Sequence, residues 1–380
     1  MTREIEAAID RVHRVHRVTT WLWPAISVLL FFPAMDLVPS FDPDSSWKAG
    51  LVLAHNSGLR FGRDVVFTYG PLGFIGHPVL WGTRSLAAIA AAAMTVTGLV
   101  YAGTKLLRAH VSGPVAALVA GLGARLTWRY EPSIVTPLLF ALIGATLHHV
   151  LGRAAPSTRR CVVSAIAAAA LLLTKVDTLA YSGFALGSLA LSGSPRPNPR
   201  DVLRRVTVIA SSFSLTVVAG WVLLSQPLGS LATWLVDSLH VAVGFNENMV
   251  YRAPAFEPWV GVLVALEGGA LVLLWAWGQR RHAATTGSSL RWDAMVVSIL
   301  VFGTGWMAAK SGFVRFDGHA FHFLWFVGFM AAVLVSRSPP FVLNGRFVGR
   351  ARSDVLYSIP ALLLVLTIIY AGVPGVSNHS

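Results

Sequence analysis

The chain has 380 residues, of which 55% are hydrophobic and only 12% charged, and its mean hydropathy is +0.64. A soluble domain of this length does not carry such a composition, so the sequence indicates a multi-pass membrane protein. The net charge of +13 would suggest nucleic acid in a soluble protein. Here the basic residues fall in short gaps between apolar runs, so they serve as orientation signals that also meet anionic lipid headgroups, and nucleic acid is excluded as a partner. The single cysteine, Cys161, excludes a disulfide framework and a cysteine-based metal site.

Residues 1–20 are polar and basic, and the apolar run over 21–38 has no small-x-small cleavage pattern after it, so it is expected to stay as a first span with a cytoplasmic N-terminus. Further stretches able, or nearly able, to cross about 30 Å of hydrocarbon as helices follow. They lie at 85–104, 112–127, 132–151, 161–174, 178–192, 206–225, 258–277, 294–309, 320–335 and 355–373, which makes eleven. With this orientation most of the 30 Lys and Arg residues fall on the cytoplasmic side, as short loops of an inner-membrane protein require. Acids gather on the outer side, among them Asp42, Asp44, Asp64, Glu131, Asp177, Glu247 and Asp317. The expected fold class is all-α and polytopic, one integral domain over 1–380, with long extracytoplasmic loops at 39–84 and 226–257.

The first long loop begins "FDPDSSWKAG". Asp42 and Asp44 follow the first span directly, where a carboxylate stays ionised and an apolar wall can raise its basicity, as suits a general base. The alternative is a helix cap from Asp44 or Ser45. An amphipathic helix is expected from Ser46, with Trp47, Leu51 and Ala54 on one face and a stop at Gly58. Then comes "RDVVFTYGPLGF", with Arg63 and Asp64 ahead of a β-prone run, and a tight turn over Gly70–Gly73 centred on Pro71. Phe67, Tyr69 and Phe74 suit an aromatic belt at the interface; Asp64 and Tyr69 equally suit one wall of a substrate cavity.

Later in the chain, Arg129 with Glu131 and Lys175 with Asp177 each set a cation beside an acid on the outer face, where such pairs close an electropositive pocket or simply end helices. The break at Lys175 also allows a re-entrant hairpin. In the second long loop, "LATWLVDSLHVAVGF" indicates an interfacial helix with Trp234 at headgroup depth. Glu267 lies near the middle of a span, as a buried hydrogen-bonded group or a proton relay, beside Gly268 and Gly269 as packing residues. The last cluster, "AAKSGFVRFDGHAFHF", offers Lys310 and Arg315 as phosphate ligands and Asp317, His319 and His322 to orient them or an acceptor, or else snorkelling cations at a helix end. No third metal ligand accompanies the two histidines, so no metal site is assigned. Signatures of nucleotide-driven or soluble hydrolytic chemistry, GxxxxGK[ST], HExxH, GxSxG and GxGxxG, are absent.

The acidic motif after the first span, followed by "LAHNSGLRFGRDVVFTYGPLG", resembles the first extracytoplasmic loop of GT-C type membrane glycosyltransferases, which include protein O-mannosyltransferases and bacterial lipid-linked sugar transferases. The matching parts are Asp44, the helix from Ser46, Gly58 to Asp64, and Tyr69 to Leu72. Two departures stand out: Asp44 is followed by Ser45 where many relatives carry paired acids, and no C-terminal extracytoplasmic domain is expected. The resemblance implies a GT-C-like fold and transfer, with inversion, from a polyprenyl-phosphate sugar to an extracytoplasmic glycan, lipid or protein acceptor. It implies Asp44, with Asp42, as the catalytic base, and Arg315, Lys310, Arg63 and Arg129 as ligands of the donor phosphate. No cofactor is required by that chemistry, and a divalent ion stays open. Two other readings remain: a transporter or flippase of a lipid-linked or anionic substrate, drawn from Glu267 and the break at Lys175, and a catalytically silent membrane subunit.

Overall fold

The computed structural model describes residues 21–32, 43–77, 85–107, 112–130, 133–152, 154–193, 197–248, 258–286 and 291–312, with isolated positions and short stretches besides, the last at 346–347. The expected spans at 355–373 and over much of 320–335, together with the N-terminal 20 residues, lie outside the described residues. The described chain is helical: α1 (Trp21–Phe31), α2 (Pro43–Asn56), a single turn α3 (Gly73–Gly76), α4 (Ser85–Leu107), α5 (Gly113–Tyr130), α6 (Val135–Leu151), α7 (Thr158–Thr174), α8 (Thr178–Leu191), α9 (Pro199–Leu223), α10 (Gly229–Asn248), α11 (Pro258–Thr286) and α12 (Arg291–Gly312). Two-residue strands β1 (Val342–Leu343) and β2 (Arg346–Phe347) pair antiparallel.

Three of these helices contain stretches long and apolar enough to cross a membrane, at Leu86–Lys105, Pro199–Leu223 and Trp292–Gly312, and the chain is a membrane protein. This is a smaller set than the eleven spans expected. Helices α7 and α8 have 17 and 14 residues, about 25 and 21 Å at 1.5 Å per residue, short of a full hydrocarbon core. Helix boundaries also move off the apolar runs for local reasons. Ser157 accepts a hydrogen bond from the Arg160 N–H at 3.3 Å, so α7 begins at Thr158 and takes in two arginines. Asn198 accepts from the Arg200 N–H at 3.0 Å ahead of Pro199, which starts α9 well before its apolar stretch.

From α6 to α9 the helices alternate in direction, which gives this part of the bundle two distinct ends. The Ile134 N–H donates to the Gly76 carbonyl at 3.0 Å, so α6 starts beside the first loop. Its last turn sets His149 against Arg160 at the start of α7. Helix α8 returns to that same end, where Arg205 of α9 donates to the Ala190 and Ser192 carbonyls at 3.2 and 2.6 Å and the Trp292 indole of α12 donates to the Leu191 carbonyl at 2.8 Å. At the loop end, the Tyr181 hydroxyl donates to Ser311 at 3.3 Å and so ties the start of α8 to the finish of α12.

The main core lies among α6, α7, α8 and α12, with Ile143, Leu147, Leu189 and Leu300 fully covered. Small residues let these helices approach: a Cβ at Gly303 would lie 2.4 Å from the Phe184 ring, and one at Gly144 equally close to Phe329. Gly268 packs in this way against Val327, whereas Gly269 has open space beside it. Of the two glycines beside Glu267, one therefore has the packing role expected of both.

Candidate functional site

The first loop is built on an amphipathic helix. Leu51 and Ala54 of α2 are buried, and with Trp47 they form the expected apolar face. The helix starts at Pro43, earlier than the expected Ser46, so Asp44 is the second helical residue and lies inside the first turn instead of at the cap. Gly58, at φ +65°, ends the helix as expected, in the left-handed conformation that glycine adopts without a Cβ penalty.

Residues 60–65 form a compact turn. The Asp64 carboxylate accepts from the Arg60 N–H at 3.0 Å and from its Nε at 3.1 Å, and lies 3.9 Å from Arg63 Nε. These hydrogen bonds from Arg60, with the two nearby guanidinium charges, hold the exposed Asp64 carboxyl below its ordinary range. Arg63 and Asp64 are thus joined on the outer surface of the loop, where Asp64 holds the turn shut.

The next stretch runs across the break between α7 and α8. The Gly70 and Leu72 N–H groups donate to the Thr174 and Leu173 carbonyls at 3.1 and 3.0 Å, and the Val176 N–H donates to the Thr68 carbonyl at 2.8 Å. A helix leaves its last carbonyls without internal donors, and the loop supplies those donors here. The expected turn follows, with the Gly73 N–H donating to the Gly70 carbonyl at 2.8 Å. Close approach demands Gly70 itself: a Cβ there would lie 2.4 Å from the Leu173 carbonyl oxygen. On the other flank, Ser238 of α10 donates to the Phe67 carbonyl at 2.7 Å, and Gln226 accepts from the Phe61 N–H at 2.9 Å.

Trp234 corrects one expectation. It is fully buried, 5.1 Å from the ring of Trp221, and covers Gly62 and Gly70. Helix α10 does present exposed apolar residues such as Val236 and Leu239, but its tryptophan faces inward as the wall on which the loop rests. The physical reason is that Gly70 leaves room for the indole ring, while Gly62 lets the loop backbone lie directly against the backbone of α10 at Ser230 and Trp234.

What gathers above the break is an aromatic cluster beside an ion pair. Trp47 stacks on Tyr69 at 4.8 Å, Phe67 lies 5.8 Å from Trp47 and 5.6 Å from Tyr69, and the Tyr69 hydroxyl is 3.0 Å from His77 Nε2. Lys175 Nζ sits 5.2 Å from the centre of the Tyr69 ring and 3.1 Å from the Asp177 carboxylate, and both partners are partly open to solvent. A cation, a carboxylate and partly covered aromatic faces are the elements needed to hold a polar ring and an anion together.

The structure brings some of the expected residues to this end and leaves others out. Tyr69 is in the cluster. Asp44 lies in the first turn of α2, three residues before Trp47. Arg129 belongs to the last turn of α5, whose connection to α6 reaches α3. Lys310 is exposed in the last turn of α12, next to the Ser311 that meets Tyr181. Asp42, Glu131, Arg315, Asp317, His319 and His322 lie outside the described residues. Among the described residues no three His, Cys, Asp or Glu side chains group as a metal site. In the sequence Lys175 and Asp177 are one charge pair among several, and nothing in the local pattern marks His77 as their neighbour. The signal for His77 was a lone histidine just past the turn in the otherwise apolar "GFIGHPVL". No family model, curated protein or solved structure matches the chain.

Proposed function

We propose that this protein is a membrane glycosyltransferase of the GT-C type, moving a sugar from a polyprenyl-phosphate donor to an extracytoplasmic acceptor. The observation that carries the reading is the docking of the first loop across the α7–α8 break, which groups the Trp47, Phe67 and Tyr69 rings and sets Tyr69 against Lys175 of the Lys175–Asp177 pair. Aromatic faces stack on the C–H faces of a pyranose ring, and a lysine beside them attracts a phosphate. With the loop end outward and the arginine-rich end cytoplasmic, the donor lipid would reach the cluster from the bilayer.

In this reaction Asp44 accepts the proton of the acceptor hydroxyl as its oxygen attacks the anomeric carbon from the face opposite the phosphate. The bond between that carbon and the phosphate oxygen breaks, and the lipid phosphate departs as an anion. Lys175 and Lys310 stabilise its charge, together with Arg315 and Arg129. Arg63 has a smaller part, since its neighbour is Asp64 on the outer surface of the loop. Asp64 is accordingly assigned to holding the loop and not to contacting the sugar.

The test is sugar transfer in membranes containing the protein, with polyprenyl-phosphate sugars as donors and products identified by mass spectrometry. Asp44→Asn is expected to reduce transfer by about a hundredfold or more, the usual contribution of a general base, with insertion into the membrane unchanged. Normal transfer by that variant removes Asp44 from the role of base, and absence of transfer from any such donor by the unaltered protein sinks the reading.

A further inference from the structure

The opposite end of the bundle holds a cavity of its own. It lies between α6, α7 and α8, has a volume of about 380 Å³, and is lined by Thr146, Ser157, Arg159, Arg160 and Ser164 among others, none of them acidic. That volume falls in the range of about 300–1,000 Å³ usual for small-molecule sites.

Three features converge on it. First, α7 begins here. The first N–H groups of a helix have no internal acceptors, and the Ser157 hydroxyl satisfies the one at Arg160, so those of Thr158 and Arg159 remain at the positive end of the helix dipole. Second, two adjacent guanidinium groups, Arg159 and Arg160, line the cavity, whereas nearby Arg205 is committed to the carbonyls of Ala190 and Ser192.

Third, Arg160 is anchored by His149. A guanidinium can only donate, so His149 Nδ1 accepts from Arg160 and the neutral ring carries its hydrogen on Nε2. That Nε2 is buried with no hydrogen-bond partner among the described residues, in a side chain only 7% exposed. His149 follows Ala145 and Thr146 by four and three residues, which places all three on one face of α6, and the other two line the cavity. Two guanidinium groups and a helix N-terminus thus face one cavity, and His149 fixes the position of one of the two guanidinium groups.

We propose that this cavity binds a phosphate-bearing anion, as a phosphomonoester or phosphodiester, with Arg159 and Arg160 supplying charge and the first turn of α7 supplying N–H donors. The ligand is either the headgroup of an anionic lipid or a free phosphate compound. The site is separate from the aromatic cluster at the loop end, so its existence does not depend on the transferase reading.

The experiment uses the full-length protein in two arms. In detergent, inorganic phosphate is titrated by calorimetry. In nanodiscs, the thermal unfolding midpoint is compared between pure phosphatidylcholine and mixtures with phosphatidylglycerol or phosphatidic acid. Saturable binding in the first arm identifies a free-phosphate site, and stabilisation by anionic lipid in the second identifies a headgroup site; either supports the proposal. The double variant R159Q/R160Q is expected to weaken the response at least tenfold, as is Ser164→Leu, which fills the cavity and keeps both charges. R200Q/R204Q removes the same charge from α9, outside the cavity lining, and is expected to stay within twofold of the unaltered protein. Equal losses in R159Q/R160Q and R200Q/R204Q would mean a diffuse charge effect and overturn the proposal. So would unchanged binding in Ser164→Leu, or no response in either arm.

Discussion

At the loop end of the bundle, the carbonyls that finish α7 are met by peptide N–H groups of Gly70 and Leu72, whereas at the other end those that finish α8 are met by the guanidinium of Arg205. The two solutions satisfy the same need and have different consequences. Closure by main chain requires the backbones to touch, so it depends on residues without side chains and on a fitted wall behind them. Closure by a long side chain leaves space between elements, and the cationic cavity lies at that end. A rigid, fitted loop suits a site that must hold groups in place; an open cationic recess suits a ligand that comes from solvent or membrane.

The sharpest way to break this contrast is to remove the wall. Trp234→Ala deletes a fully buried ring on which the loop rests. It is expected to cost about 3–5 kcal/mol, as is usual for a buried tryptophan. Chemical denaturation in detergent, with proteolysis at residues 58–70 as a local readout, measures this. Replacing Trp306, which is 72% exposed among the described residues, should change little by comparison. If the two variants match, the loop does not rest on Trp234.

Gly62→Ala comes next. Its φ is +82°, and a Cβ would lie 2.6 Å from both the Ser230 oxygen and the Trp234 nitrogen. Strain and overlap each cost about 1–3 kcal/mol, so a loss of upwards of about 2 kcal/mol is expected, again with a loosened loop. A neutral outcome would show that main-chain contact at that end is dispensable. Arg205→Gln tests the other end and should cost about 1.5–3 kcal/mol, the range for hydrogen bonds from a charged donor. Its effect should appear as faster hydrogen exchange at the end of α8, with the loop end protected as before.

The smallest effect concerns acid. Hydrogen bonds from Arg60 lower the Asp64 pKa in the folded protein. Its contribution is therefore fully present above the unfolded carboxyl value, about pH 3.9, and is lost as pH falls through the lower folded value. Asp64→Asn should flatten the dependence of loop protection on pH below about 4, with little change at neutral pH. An unaltered acid profile would assign that sensitivity to another group.

Much of the local structure was legible from residue order. The apolar face of Trp47, Leu51 and Ala54 at helical spacing, the Gly58 stop and the turn at Gly70–Gly73 follow from short-range backbone preferences, and each appears in the fold. Span length was less legible. Hydropathy marks where a helix tolerates lipid, but the caps at Ser157 and Asn198 decide where it begins. An aromatic near an expected membrane surface looks the same in sequence whether it faces headgroups or, as Trp234 does, a glycine more than 160 residues away.

The sequence by itself determined that this is a helical membrane protein with a structured first loop, because composition, amphipathic spacing and turn chemistry act over a few residues. Only the tertiary structure decided that Tyr69 meets Lys175, that His77 reaches the Tyr69 hydroxyl, and that His149 anchors Arg160 beside a cavity. Those pairings depend on unsatisfied helix ends and vacant glycine surfaces finding complements far along the chain. Nothing in the local pattern specifies which complement that is.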